Sequence, residues 1–124
     1  TVALVAAHAP RSRGVVGRGG DRGAARRRGP AAWVDGPLKE GHWQVMTQAR
    51  AIENTIYVAG AGQCGKGYCG LSRIVDPMGV VTASLGEAEG VTATDVTKER
   101  IEEVRARLPL RAQRHAASDV TTRF

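Results

Sequence analysis

Residues 49–58 read ARAIENTIYV and residues 70–79 read GLSRIVDPMG. The first stretch closes a helical pattern through Arg50, Ala51, Glu53 and Asn54, then opens a strand at Ile56-Tyr57-Val58. The second holds a strand and its turn, marked by Gly70, Ser72, Asp76, Pro77 and Gly79. A helix leading into a buried strand and then a hairpin defines an α/β chain whose later strands join through turns rather than helical crossovers.

Working outward, the helix of the first stretch begins near Lys39, after the turn signal Gly36-Pro37. Val45, Ala49 and Ile52 fall at helical spacing as its apolar stripe, widened by Trp43 and Met46, and Asn54 suits its C-terminus. Ile56 to Ala61 has the small and branched residues of a strand buried on both faces. Leu71–Val75 and Val80–Ala83 form a hairpin through Asp76-Pro77-Met78-Gly79, and Gly90–Val96 reads as a further strand. Thr97 caps a helix to about Leu108, with Ile101, Val104 and Leu108 on one face. Glu99 in its first turn and Arg105 and Arg107 in its last suit the helix dipole, and Glu103 pairs with Arg107 at i,i+4. At the other end, Thr1 to Ala6 alternates as a short buried strand.

The 124 residues make at most one domain, with an apolar fraction of 42% and 16 glycines. No apolar run approaches the roughly 18 residues that span a bilayer. TVALVAAHAP is too short for a secretory signal, lacks its basic flank, and reads as the middle of a protein. Cys64 and Cys69 are too few for a disulfide framework and read as free thiols of a cytoplasmic protein, and no second Cys/His pair suggests a metal site. The net charge of +6 resides in residues 11–29, which hold seven Arg and one Asp, while the rest of the chain balances.

Together with Pro30-Ala31-Ala32-Trp33 and His42-Trp43, the two opening stretches make four spaced phrases over roughly residues 30–110. In that order they resemble the C-terminal half of a carbon–nitrogen hydrolase of the nitrilase/amidase superfamily. The resemblance implies a partial αββα sandwich: a mixed sheet with hairpins and helices on one face. It divides the chain into a strand before the nucleophile position (1–7), an aberrant Arg/Gly-rich segment (8–29), the family-like half (30–110) and a tail (111–124). It also implies a Cys-Glu-Lys mechanism. A thiolate attacks a linear amide, ammonia or an amine leaves, and water releases the acid. Neither metal nor organic cofactor takes part. An intact relative would be a cytoplasmic homo-oligomer acting on a small-molecule amide, and SRIVDPMG is nearer to amidases than to nitrilases.

The same resemblance places the nucleophile near Ala7, which has no thiol, and the family's C-x-D-x-R-F-P-E phrase is absent apart from a possible counterpart in Arg11. The family's Glu and Lys precede the nucleophile and so fall before Thr1. No catalytic residue is therefore assigned, and no hydrolase activity is expected of this chain alone. Ala32 and Trp33 match positions beside the substrate pocket, although a core aromatic explains Trp33 equally well. Trp43 reads as helix packing and His42 as a surface histidine. Glu53 reads as a buried or half-buried hydrogen-bonding group, and Ser72 and Asp76 are strand and turn residues without a placed His. Cys64 has no base positioned by sequence, since His8, His42 and His115 lack evident partners. GQCGKGYCG lacks the spacing of a phosphate loop.

Residues 11–29 admit two readings. GRGGDRG has the Arg and Gly of an RNA-binding segment, with one RGG triplet and no interleaved aromatics. The preferred reading is GC-rich coding sequence translated out of frame, because the family-like pattern resumes at Pro30 with about the expected spacing. A third alternative for the whole chain is a non-catalytic partner subunit docked on an intact paralogue through an uncovered sheet.

Overall fold

The computed structural model describes residues 2–4, 26–110 and 112–113. Its elements in chain order are β1 (Val2–Leu4), β2 (Arg26–Ala31), α1 (Lys39–Asn54), β3 (Tyr57–Gly62), β4 (Arg73–Val75), β5 (Val81–Ser84) and α2 (Lys98–Arg107). The strands form one sheet in the order β1-β2-β3-β4-β5. β1, β2 and β3 run parallel, whereas β4 and β5 are antiparallel to their neighbours. The chain is thus α/β with a mixed sheet, as the sequence pattern implied. Parallel β2 and β3 need a crossover, which α1 supplies, while the later strands need only a loop and a turn.

Two expectations on strands are corrected. Regular structure does not wait for Pro30, where the family-like half was expected to begin, because β2 begins at Arg26 and pairs on both sides, Arg26–Arg28 lying between Val2–Leu4 and Tyr57–Ala59. Three of the seven arginines of the basic segment are therefore sheet residues. Gly90–Val96 forms no strand. Its β-branched residues favour extended backbone, but a strand needs a partner ladder, and Val91 is 94% exposed.

α1 buries the expected face only in part. Trp43 is buried and Met46 packs on the core as expected, but Thr47, Ala51 and Asn54 complete the inward face, whereas Val45 is 65% exposed and Ile52 lies at the surface. The sheet decides this. Gly60 of β3 has no side chain, and the Trp43 ring fills the space, with Thr47 beside it. Burying an indole of ~200 Å² at ~25 cal/mol per Å² contributes about 5 kcal/mol. That outweighs an exposed Val. Ala31, Trp33, Trp43 and Cys69 make one core cluster, and Ala51, Ile56, Val58 and Val75 make another.

α1 ends at Thr55, whose φ of 47° puts a β-branched residue in the left-handed region. Hydrogen bonds from near and far in the chain hold it there. Its N–H reaches back to the Ala51 and Ile52 carbonyls, its hydroxyl donates to Asn54 O, and Arg105 Nε donates to the hydroxyl at 3.3 Å. α2 is capped by Thr97, whose hydroxyl accepts from Arg100 N at 3.2 Å, as its sequence predicts. Ile101 and Val104 are buried, and Glu103 reaches Arg107 at 3.5 Å.

Candidate functional site

The carboxyl ends of β2 and β3 lie side by side, and each strand runs into a segment that binds the other. Gln63 N donates to Ala31 O at 2.9 Å, Cys69 N to Trp33 O at 2.9 Å, and Asp35 N to Gly67 O at 3.1 Å. Val34 and Tyr68 add an antiparallel bridge. The glycine-rich loop 63–70 is thereby folded over residues 31–35. Gly62 is required at its root, because a side chain there would collide with the Gly70 carbonyl. Ser72 closes the loop: its hydroxyl accepts from Gly62 N at 3.1 Å and donates to Gly62 O at 3.2 Å.

Beneath this platform the recognisable phrases of the sequence meet. Trp33 and Trp43 pack at 5.6 Å between ring centroids, tilted by 41°. Trp33 Nε1 donates to Lys39 O at 2.8 Å, and Trp43 Nε1 donates to Leu71 O at 2.9 Å. Further along α1, Gln48 Nε2 donates to Gly79 O at 2.9 Å. One packed unit therefore links P-A-A-W, H-W, the strand Tyr57–Gly62 and the phrase 70–79.

The candidate residues fall as follows. Ala7, the expected nucleophile position, lies outside the described residues, as do His8, Arg11 and His115. β1 runs parallel to β2, so the chain leaves it at the end of the sheet that carries the platform. Ala32 is exposed there, and Trp33 is buried in the core cluster beneath it. His42 is exposed. Glu53 is half-buried and accepts from Arg50 Nη1 at 2.8 Å. Ser72 and Asp76 are not brought together. Ser72 serves Gly62, and Asp76 serves its own turn and Arg100.

The two thiols lie in different settings. Cys69 is buried and donates to Val34 O at 3.5 Å. Burial pushes its thiol above the ordinary value, Glu40 and Asp35 push it further, and Lys39 opposes them only in part. A Cys, a Glu and a Lys thus gather here, but in an arrangement that holds the thiol protonated. Cys64 is half-buried and lines a cavity of about 440 Å³ with Gln63, Ser72 and Glu89. A neighbouring cavity of about 400 Å³, sharing Ser72, Leu85 and Gly90, is lined mainly by apolar and small residues and by Arg73. Periodicity had not singled out Arg73 or the environment of Cys69, because both depend on contacts between distant segments. Among the described residues no group of three or more His, Cys, Asp and Glu is placed to hold a metal, and no helix is long and apolar enough to cross a membrane.

A profile for carbon–nitrogen hydrolases matches residues 24–106. The chain belongs to this family. It is 48% identical over 88 residues to a deaminated glutathione amidase of Escherichia coli O157:H7, covering 71% of this chain and 34% of that protein. It is 37% identical over 78 residues to an omega-amidase of Xenopus tropicalis, covering 59% and 28%. Among solved structures, a carbon–nitrogen hydrolase of Helicobacter pylori matches with a TM-score of 0.85 at 20% identity, over 100% of this chain and 50% of that one. An amidase of Nesterenkonia matches with a TM-score of 0.70 at 27% identity, over 86% and 41%. The chain thus spans about a third of the amidase from Escherichia coli O157:H7 and half of the hydrolase from Helicobacter pylori.

Proposed function

We propose that this chain is scaffold of an amidase-type carbon–nitrogen hydrolase that cleaves linear amides, and that its 124 residues alone do not turn such amides over. The observation that carries the reading is the packed unit of Trp33, Trp43, Gly60 and Leu71, which ties the family's phrases into one platform at the carboxyl end of the sheet. Identity of 48% to a deaminated glutathione amidase supports amides as the substrate class. The buried Cys69, whose thiol is pushed above its ordinary value, and the absence of the family's nucleophile phrase around Ala7 support inactivity of the chain alone. In this reading Ala32 and Trp33 border the substrate, Ala32 at the surface and Trp33 from below. The proposal extends to a cytoplasmic setting and to self-association, for which the sheet-edge strand β5 offers unpaired backbone groups.

The test is ammonia release from ω-amides of dicarboxylic acids by the purified chain, beside a mock preparation. No release above the mock is expected. Release that persists in a Cys64→Ser, Cys69→Ser double variant would show a catalytic set elsewhere in the chain and sink the inactive reading.

A further inference from the structure

α1 turns Trp43, Thr47, Ala51 and Asn54 toward the sheet, and Val45 stands on the opposite side of the helix. Leu38 lies seven positions before Val45 and Ile52 seven positions after it, so both fall within about 20° of the same line along the helix. Leu38 is 77% exposed, and Ile52 also reaches the surface. Between them His42 is exposed, and a Cβ on Gly41 would meet nothing within 4 Å. At the Ile52 end the β4–β5 turn widens the stripe. Gly79 packs on Ile52, since an added Cβ would stand 2.7 Å from Ile52 Cδ1, and its neighbours Met78 and Val80 are exposed. The stripe is thus about 21 Å long and apolar along its centre. It holds no Lys, Arg, Asp or Glu, in a chain of which 24% is charged. Contiguous apolar surface with a polar rim marks a contact site.

Two features of the stripe name its occupant. It is symmetric about Val45. A second α1 laid antiparallel across a two-fold axis at Val45 sets Val45 on Val45, and each Leu38 against Ile52, Met78 and Val80 of the other copy. Its rim is also complementary to itself. Lys39 and Glu53 lie on one edge of the stripe, about 120° and 80° around from Val45 in the same direction. They stand six positions before Val45 and eight after it, so the same two-fold brings Lys39 of each copy beside Glu53 of the other. Glu53 keeps Arg50 within its own chain, so Lys39 joins an existing pair. A different polypeptide has to supply both matches independently, whereas a second copy has them by symmetry. One helix width over this length stays below the roughly 1,200 Å² of a permanent interface, so the contact is weak.

We propose that α1 is the contact surface of a weak antiparallel homodimer, centred on Val45 and rimmed by two Lys39–Glu53 pairs. The inference rests on the self-association proposed above and assigns it to α1 rather than to the β5 edge. It needs no hydrolase chemistry.

The experiment is sedimentation of the purified chain from about 10 μM to about 1 mM, where the wild type should show a reversible monomer–dimer equilibrium. Val45→Lys sets two like charges on the two-fold axis and should weaken association at least ~10-fold. Its urea midpoint at low concentration, where the monomer dominates, should match that of the wild type. Charge reversal tests the register. Lys39→Glu alone and Glu53→Lys alone should each associate more weakly than the wild type. An equimolar mixture of the two should regain association, because in the mixed dimer every reversed charge meets its opposite. Should Val45→Lys not fold, the mixture carries the decision. A wild type that stays monomeric throughout leaves the stripe to a different polypeptide and overturns the proposal. Association unaltered by Val45→Lys, with a mixture no stronger than its components, overturns it as well and leaves the β5 edge as the contact.

Discussion

Arg100 sets both Nε and Nη2 on a single oxygen of Asp76, at 2.9 and 2.8 Å, while the other carboxylate oxygen accepts from Met78 N and Val80 N at 2.8 and 2.9 Å. One carboxylate therefore shapes the β4–β5 turn and anchors α2 to it. The turn needs this help because Gly79 is held at a φ of 88° and its N–H bonds back to the Asp76 carbonyl. Asp76→Ala removes both functions and is expected to cost on the order of 2 kcal/mol in urea denaturation. Asp76→Asn keeps an oxygen for the two backbone donors and loses only the ionic anchor, so its cost should be smaller. Equal losses for the two variants would mean that the turn does not use the side-chain oxygen.

Gly60 and Trp43 fit only as a pair. A Cβ on Gly60 would lie 2.7 Å from Trp43 Cζ2 and 2.9 Å from Cη2, and the ring is fixed by its hydrogen bond to Leu71 O and by Trp33. Gly60→Ala is therefore expected to destabilise by roughly 1–3 kcal/mol through overpacking. Trp43→Phe removes the outer ring atoms and should tolerate the added methyl. In a double-mutant cycle the pair should couple favourably by at least ~0.5 kcal/mol, because the two residues touch. Additive losses would contradict this packing.

The two thiols should be separable in one experiment. Cys69 is buried and its thiol is held above the ordinary value, whereas Cys64 is half-buried in the loop. Iodoacetamide at pH 8 should label Cys64 first and Cys69 slowly, as mass spectrometry of peptides will report. The sign of the pH effect follows from the direction of the shift. A folded-state value raised above the unfolded one gives stability that is full below the unfolded value of about 9 and is lost as pH rises through the folded value. The urea midpoint should therefore fall above pH 9, and Cys69→Ala should flatten that fall. A wild-type midpoint constant to pH 10.5 would argue against a buried, protonated Cys69.

Much of this architecture was legible in sequence, for reasons that differ by element. Thr97, Glu99 and the Ile101/Val104 pair specify α2 locally, and its cap and span match the reading, with Ile101 and Val104 buried as expected and Leu108 a half-buried C-cap. Asp76-Pro77-Met78-Gly79 specifies its turn through backbone preferences that no distant contact has to supply. β2 was hidden because Arg26–Arg28 carry no apolar signal, and their strand is fixed by pairing with two neighbours. Val91 and its neighbours had a strand's composition but no ladder. The platform was visible only as separate phrases. That Trp33, Trp43 and Leu71 meet is a tertiary fact, as is the burial of Arg73.

α1 offers the sharpest contrast between pattern and packing. Its sequence stripe is Val45, Ala49 and Ile52, widened by Trp43 and Met46, and of these Trp43 alone is fully buried, beside Thr47, Ala51 and Asn54. The two faces make opposite predictions for substitutions at Val45 and Ala51. With Val45 65% exposed, Val45→Lys should change stability by no more than ~0.5 kcal/mol, and the better helix propensity of Lys works in its favour. Ala51 is fully buried in one core cluster with Ile56, Val58 and Val75. Ala51→Leu should therefore cost roughly 1–3 kcal/mol despite being apolar and a strong helix former. Denaturant midpoints of the two variants decide the matter. If Val45→Lys proves the more damaging, the helix is rotated about its axis from the position described, and Trp43 does not lie over Gly60.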